Sequence, residues 1–311
     1  MASEVKIFSG SATRYLAEEI AGCFHRPLGK ITTTRFADGE METSFDESVR
    51  GDTVFIVQST FGPAENVMEL LLMIDAARRA SADKIVVVMP YYGYARQDRK
   101  DKPRVSIGAK LVANMLTAAG ADRIVTMDLH AGQIQGFFDI PLDHLYGTGV
   151  FFPYLTSLGL DNIAVAAPDA GGAKRAREYA TFLKSDLILI DKFRERANEV
   201  ASMKVIGDVK GKNVLIVDDI VDTAGTLSQA ANHLVFEGAA SVRAVVTHPV
   251  LSGPAYDRIQ NSSMTELITT NTIPLKDGQP REKIKVLSIA PMLSDAFHKI
   301  YNFESISSLY I

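Results

Sequence analysis

Val214-Leu215-Ile216-Val217-Asp218-Asp219-Ile220-Val221-Asp222-Thr223-Ala224-Gly225-Thr226 is the stretch whose reading decides the fold. Unbroken apolarity over Val214–Val217, without polar alternation, predicts a strand covered on both faces, as in the parallel sheets of α/β proteins. That strand delivers two carboxylates, Asp218 and Asp219, to its C-terminal end, where open α/β sheets bind ligands. A short loop follows, Asp222 to Thr226, and a helix is expected from Leu227. Thr223, Ala224, Gly225 and Thr226 supply hydroxyls, small side chains and close backbone approach. The helix start adds unpaired N–H groups and a positive dipole end, so the loop suits a phosphate monoester. Asp218 and Asp219 then stand where sugar hydroxyls would sit, because carboxylates accept hydrogen bonds from a diol. A Walker-B-like strand holding magnesium would look similar. It needs a G-x-x-x-x-G-K-[ST] loop elsewhere, and the chain has none.

Working outward, further apolar runs predict strands at Val5–Phe8, Val54–Val57, Ile85–Met89, Ile124–Met127, Ile163–Ala167, Leu187–Ile190 and Ala244–Thr247. Helix-like stretches lie between them at Asn66–Ala80, Gly108–Ala119, Ala173–Leu183 and Leu227–Phe236. This alternation predicts α/β layers. The chain also repeats itself. Val54-Phe55-Ile56-Val57 opens a turn, a helix and a strand ending at Pro90; Val214-Leu215-Ile216-Val217 opens the same series, ending at Pro249. The two blocks stand 160 residues apart at their starts and 159 at their ends. Arg35-Phe36 followed by Glu40 matches Lys192-Phe193 followed by Glu199 at an offset of 157. Unrelated α/β units also look alike, but they have no reason to keep one offset. The repeat points to an old duplication and two domains of similar fold, 1–148 and 149–311, divided near Gly147–Gly149. The last helix-like stretch, Met292–Ile300, is available to cross back to the first domain.

Composition agrees. A chain of 311 residues exceeds the ~250–300 at which one hydrophobic core stops growing. Hydrophobic residues at 47% and charged residues at 23% leave no room for a large disordered segment. The net charge of −4 calls for neither nucleic acid nor an anionic membrane, so anionic substrates must be met by local cations and N–H groups. Cys23 is the only cysteine, which excludes an intramolecular disulfide and a multi-thiolate metal site. Met1–Phe8 lacks the basic start and apolar stretch of a secretion signal. No apolar run approaches the ~18 residues that span a bilayer. A cytoplasmic location is expected.

Three other segments bear on chemistry. Pro168-Asp169-Ala170-Gly171-Gly172 follows a predicted strand and precedes a helix with Lys174, Arg175 and Arg177 near its start. Its glycines allow backbone approach to a diphosphate, and Asp169 can hold magnesium; alone, the segment reads equally as a plain β–α turn. Met127-Asp128-Leu129-His130 ends a strand. His130 is open to a magnesium or phosphate role, or to a structural one, since imidazole is an unusual partner for hard magnesium. In Tyr94-Ala95-Arg96-Gln97-Asp98-Arg99-Lys100-Asp101, Arg96 and Arg99 offer forked donors for phosphate and Gln97 an amide suited to an adenine edge; a solvated charged loop is the other reading. Lys192-Phe193-Arg194-Glu195-Arg196 is a second basic segment. A cation reaching a transferring phosphoryl group can contribute ~10³–10⁵ in rate.

The first copy of the repeat has lost the site. Gln58-Ser59 stands where the second copy has Asp218-Asp219, and Gly62-Pro63-Ala64-Glu65-Asn66 replaces D-T-A-G-T. One sugar-phosphate site per chain is the expectation.

The acid pair with D-T-A-G-T is the phosphoribosyl-binding signature of type I phosphoribosyltransferases. Over essentially its whole length the chain resembles the ribose-phosphate diphosphokinase family. Lys6–Gly10, Arg35–Glu40, Ser48–Gly51, Tyr94–Asp98, Asp128–His130, Gly136–Pro141, Pro168–Gly172, Asp218–Thr226 and Ser252–Ala255 carry the likeness. The resemblance implies two tandem type I phosphoribosyltransferase-like domains, each with a mostly parallel sheet flanked by helices. It implies transfer of the β,γ-diphosphate of ATP to the 1-hydroxyl of ribose 5-phosphate, a reaction that feeds nucleotide, histidine and tryptophan biosynthesis. ATP would bind through Arg96, Gln97 and His130, with Phe36, Asp38 and Glu40 donated by a neighbouring subunit of a homohexamer. Magnesium would be held around His130 and Asp169, and the diphosphate would lie on the loop from Asp169 through Ala170 and Gly171 to Gly172. Ribose 5-phosphate would sit on Asp218, Asp219 and Asp222–Thr226, and Lys192 and Arg194 would close over the reacting phosphate.

Members of the phosphate-activated, ADP-inhibited class resemble this chain at Ser48, Arg50, Ser81 and Arg104. The chain departs from them around Pro103-Arg104-Val105-Ser106, at Phe193, and at its end, Ser307-Ser308-Leu309-Tyr310-Ile311, so the departures bear on regulation. Two rival readings remain. A nucleobase phosphoribosyltransferase uses the same loop but needs neither the duplicated domain nor Tyr94–Asp101. A catalytically inactive regulatory relative should have lost loop cations or site carboxylates, and this chain retains both.

Overall fold

The structure is a computed structural model that describes residues 4–169, 171–193 and 202–309. The chain forms two compact units, Met1–Gly147 with Ile289–Ile311, and Thr148–Ser288. Residues from Ile289 onward thus rejoin the first unit, and the second ends at Ser288.

The first unit runs β1 (Val5–Ser9), α1 (Arg14–Cys23), β2 (Ile31–Arg35), β3 (Met41–Phe45), β4 (Thr53–Val57), α2 (Glu65–Arg79), β5 (Lys84–Met89), α3 (Gly108–Ala119), β6 (Arg123–Met127) and β7 (Leu142–Leu145). Five strands form a sheet in the order β1-β4-β5-β6-β7, every pair parallel. Alternate residues of a strand face opposite ways, which explains why β4 is apolar throughout. Val54 and Ile56 join Leu70, Met73 and Ile74 of α2 in one core. Phe55, on the other face, stacks on Phe297 at a ring separation of 4.1 Å. β2 and β3 pair antiparallel as a separate two-stranded sheet, largely exposed.

The second unit runs α4 (Thr148–Ser157), β8 (Ile163–Ala167), α5 (Ala173–Leu183), β9 (Asp186–Phe193), β10 (Ser202–Ile206), β11 (Asn213–Val221), α6 (Gly225–Phe236), β12 (Ser241–Pro249), α7 (Ala255–Gln260), β13 (Glu266–Thr270) and β14 (Ile284–Leu287). Its sheet has the order β10-β9-β8-β11-β12-β13-β14. Only β9–β10 is antiparallel among these pairings. β11 again divides its side chains: Val214 and Ile216 pack with Ala230, Ala231 and Leu234 of α6, while Leu215 and Val217 pack with Phe151, Phe152 and Tyr179. The final helix, α8 (Ala290–Tyr301), packs on α1 of the first unit.

From β1 to β7 and from β8 to β14 the element order is the same once strand and helix types are compared: strand, helix, two strands, strand, helix, strand, helix, strand, strand. That repetition is what the near-constant sequence offset anticipates. The intervening pair differs. β2–β3 stands as its own sheet, whereas β9 joins the main sheet beside β8. Among the described residues no helix is long and apolar enough to cross a membrane.

Two details near the decisive stretch differ from the sequence reading. β11 continues to Val221 instead of stopping at Val217, because Ile220 and Val221 keep pairing with His248 and Pro249. The helix begins at Gly225, two residues before Leu227. The acid pair therefore lies within the strand and not beyond it.

Candidate active site

In the second unit, Asp219 is buried within β11 and Asp218 is partly exposed. The Asp219 N–H donates to Asp218 Oδ1 at 2.9 Å. Arg175, near the start of α5, brings Nη1 to 2.9 Å from Asp219 Oδ1 and 3.7 Å from Asp218 Oδ1. Burial, and next the negative charge of Asp219, push Asp218 up to about 8 from 3.8, against the opposing pull of Arg175. The Asp218 side chain keeps 32% of its surface exposed, so water tempers that desolvation and a ligand can reach it.

The carbonyls at the end of β11 and in the loop after it are taken up by donors. Leu251 N–H donates to the Val221 carbonyl at 3.0 Å and Ser252 N–H to the Asp222 carbonyl at 2.9 Å. Arg258 Nη1 donates to the Thr223 carbonyl at 2.9 Å. Ala224, at φ +56°, makes the left-handed turn into α6, a conformation that costs a non-glycine residue about 1–2 kcal/mol. No side-chain cap occupies the start of α6, and the first-turn N–H groups of any helix lack intrahelical partners. The mouth thus presents amides, with the hydroxyls of Thr223 and Thr226 at its exposed edge. It is built to receive an anion.

The loop between β8 and α5 is fastened by its own acid: Gly172 N–H donates to Asp169 Oδ1 at 2.9 Å. Gly171 is exposed and Gly172 buried. Ala170 and Arg194 lie outside the described residues. Lys192 is the next-to-last residue of β9, paired in register with Met203 of β10.

In the first unit, Arg96, Gln97, Asp98, Arg99 and Lys102 line a cavity of about 560 Å³ together with His130. The sheet order explains the meeting: β5 and β6 are adjacent, so the segments that leave their C-terminal ends converge. Gly93 makes the path possible, since any Cβ there would collide with the Thr60 carbonyl. Gln97 is held by its backbone, N–H to the Tyr94 carbonyl at 2.8 Å and carbonyl to Ala109 N–H at 3.2 Å. Beside His130, Leu129 N–H donates to His144 Nε2 at 2.9 Å, and Asp128 Oδ2 accepts the Gly147 N–H at 3.0 Å.

Phe36, Asp38 and Glu40 do not line that cavity. They occupy the exposed turn between β2 and β3, closed by Phe36 N–H to the Glu40 carbonyl at 2.8 Å and Glu40 N–H to Asp38 Oδ1 at 3.1 Å. The Phe36 ring is 47% exposed. Ser48, Arg50 and Ser81 meet: Arg50 Nη1 donates to Ser81 Oγ at 3.3 Å and Arg50 N–H to Ser48 Oγ at 3.4 Å. Arg104 stands in the loop before Ser106, at φ +62°. Ser307 and Ser308 lie in a short terminal 3-10 turn.

The duplicate position in the first unit is closed from within. Gln58 Nε2 donates to Glu69 Oε2 at 2.7 Å, and Gln58 Oε1 accepts the Ala12 N–H at 3.2 Å. Glu69 also accepts Ser11 N–H at 3.1 Å, Ser11 Oγ at 2.7 Å and Thr33 Oγ1 at 3.0 Å. A side chain of this protein holds the amide that begins the loop after β1.

Sequence reasoning missed the placement of Arg175, grouped with the diphosphate loop but found on the acid pair, and missed Arg258 altogether. Arg258 follows closely on Ser252-Gly253-Pro254-Ala255, and that proximity was the available signal.

The chain is similar to known proteins over nearly its whole length. Residues 5–120 match the N-terminal domain of ribose phosphate pyrophosphokinase, and residues 191–311 match the phosphoribosyl synthetase-associated domain. A ribose-phosphate pyrophosphokinase of Porphyromonas gingivalis is 53% identical over 98% of this chain and 97% of its own length. One from Bacillus cereus is 51% identical over 99% of this chain and 98% of its own. The crystal structure of phosphoribosylpyrophosphate synthetase from Mycobacterium smegmatis superposes with a TM-score of 0.92 at 40% identity, covering 96% of this chain and 99% of that one. With identity of this level over nearly its full length, the chain belongs to the ribose-phosphate pyrophosphokinase family.

Proposed function

We propose that this protein transfers the β,γ-diphosphate of ATP to the 1-hydroxyl of ribose 5-phosphate, giving 5-phosphoribosyl 1-diphosphate and AMP. The observation that carries this reading is the intact acid pair beside an amide-rich helix mouth in the second unit, in a chain related over its full length to ribose-phosphate pyrophosphokinases. The 5-phosphate occupies the mouth of α6, on the N–H groups of Gly225 and Thr226 and the hydroxyls of Thr223 and Thr226, with Asp222 and Ala224 shaping the turn. Asp218 and Asp219 accept hydrogen bonds from the ring diol. ATP is bound by Arg96, Gln97 and His130, the guanidinium on phosphate oxygens and the amide on the adenine edge. The diphosphate of the product lies along Asp169, Ala170, Gly171 and Gly172.

The 1-hydroxyl attacks the β-phosphorus in line and gives up its proton. The bond from that phosphorus to the oxygen bridging to the α-phosphate breaks, and the electron pair leaves with AMP. Charge on the transferring group peaks at its equatorial oxygens, which is where Lys192 and Arg194 act. Among the described residues no cluster of three or more His, Cys, Asp or Glu forms a metal cage. Magnesium is usually held by one or two carboxylates and the substrate's phosphates. Asp169 in the second unit is the carboxylate we assign to magnesium, and His130 in the first unit a group we assign to the ATP phosphates and their ion; a bound ion would neutralise phosphate charge.

The exposed Phe36 ring, with Asp38 and Glu40, supports a homo-oligomer, a hexamer in our reading, in which the β2–β3 turn reaches a neighbour's adenine. Ser48, Arg50, Ser81 and Arg104, with Ser307 and Ser308, are the residues we assign to regulation by anions. Incubation with ATP, magnesium and ribose 5-phosphate tests the whole reading. Equal amounts of AMP and 5-phosphoribosyl 1-diphosphate should form; a nucleobase phosphoribosyltransferase or an inactive relative would yield no AMP.

A further inference from the structure

We infer that Arg175 is a positioning residue that fixes the acid pair of β11 for a cis-diol, and thereby sets the discrimination between ribose 5-phosphate and its 2-deoxy analogue. The inference rests on the assignment of ribose 5-phosphate to this site. Arg175 Nη1 lies 2.9 Å from Asp219 Oδ1 and 3.7 Å from Asp218 Oδ1. The Asp219 N–H closes on the same Asp218 oxygen at 2.9 Å. The guanidinium and the Asp219 N–H thus converge on the Oδ1 edge of the pair.

Adjacent residues of a strand send their side chains to opposite faces. Asp218 and Asp219 can therefore serve one ligand only if something reorients them toward a common side. Arg175 comes from α5, a separate element packed beside β8 and β11, so its reach across the sheet end is independent of the β11 backbone. It is 22% exposed against 6% for the Asp219 side chain, so water competes weakly for the contact. Both contacts are made by one nitrogen, Nη1, and the planar guanidinium fixes that nitrogen's donor directions, which a freely rotating ammonium does not. Without the clamp, the carboxylates would lose their shared orientation. A site that hydrogen-bonds a substrate hydroxyl rejects the analogue lacking it because its own polar groups go unpaired. Loss of orientation therefore costs discrimination as well as affinity.

The test uses Arg175→Leu, Arg175→Lys, Asp219→Asn and the Arg175→Leu/Asp219→Asn double variant of the full chain. Kinetics are measured with ribose 5-phosphate and with 2-deoxyribose 5-phosphate, and ribose 5-phosphate binding by equilibrium dialysis. Arg175→Leu should raise the KM for ribose 5-phosphate at least about 10-fold, carried mainly by KM, while the KM for ATP stays within about twofold. Its preference for ribose 5-phosphate over the deoxy sugar should fall by a similar factor. Arg175→Lys should recover part of the affinity and less of the preference. In the Asp219→Asn background the Arg175 change should add less than about threefold. An unchanged preference in Arg175→Leu, with weakened sugar binding in Asp219→Asn, overturns the positioning role alone. Normal sugar binding in Asp219→Asn overturns the site assignment beneath it. Should Arg175→Leu fail to fold, Arg175→Lys decides: a wild-type preference there overturns the proposal.

Discussion

Gln58, which stands in sequence where the second copy has Asp218, donates its amide to Glu69 Oε2 at 2.7 Å, and the two residues are 0% and 2% exposed. Glu69 takes four donor groups there, Ser11 giving both its N–H and its hydroxyl. Removing it takes the short acceptor from the fully buried Gln58 amide, and a buried polar group left unmet costs about 1–3 kcal/mol. Glu69→Ala should therefore destabilise the first unit by about 3 kcal/mol, and Glu69→Gln by less. Urea unfolding checks this; a midpoint equal to wild type in Glu69→Ala would mean the network contributes nothing.

Lys192→Ala should lower turnover at least ~10²-fold, about 2.7 kcal/mol of barrier, with little change in ribose 5-phosphate affinity. Its charge is needed when the transferring phosphoryl group is most anionic, not when the sugar binds. Single-turnover rates with saturating substrates are the measurement, and a wild-type rate would remove the residue from the chemistry.

Asp218→Asn should weaken ribose 5-phosphate about 10-fold or more while ATP binding persists, since the ATP residues belong to the first unit. Titrating each ligand separately gives the comparison. Loss of ATP binding with sugar binding intact would contradict the assignment.

Asp218 also gives the second unit a pH dependence with a definite sign. Its folded pKa is raised, from 3.8 to about 8, chiefly by burial and then by Asp219. In that interval the folded chain holds more protons than the unfolded one, so stability falls as pH rises through it. The contribution is fully present below the lower value and gone above the upper. Denaturation midpoints of wild type and Asp218→Asn, followed from about pH 5 to pH 8, isolate it: the wild type should lose more than the variant. A wild type that loses less would reverse the sign.

The parts of the fold legible from sequence were those buried on both faces. β8, α3 and α5 occur at the expected residues, because continuous apolar runs and helical periodicity announce them. β2 and β3, with sequences ITTTR and METSF, bury neither face consistently and leave no pattern to read. β7 was hidden differently. Its Asp143 and His144 are buried but engaged, Asp143 by Arg123 at 2.6 Å and His144 by the Leu129 N–H, so polar letters stand in a core strand. In β11 the two aspartates interrupt the apolar run, and only pairing with β12 reveals that the strand continues. Of the site, the loops were readable because each is local. Arg175 and Arg258 were not, because each acts on a residue more than 30 positions away, and a chain read alone does not say where a long side chain will arrive.

The last helix has a consequence for the order in which the molecule can mature. α8 supplies Phe297, fully buried and stacked on Phe55 of β4, so the unit whose strands are translated first stays incomplete until the residues beyond Ser288 have been made. The second half has all its own strands by Ser288 and can close sooner. Synthesis and completion thus run in opposite directions along this chain, and a polypeptide stopped at Ser288 should keep its later half protease-resistant while its earlier half is digested.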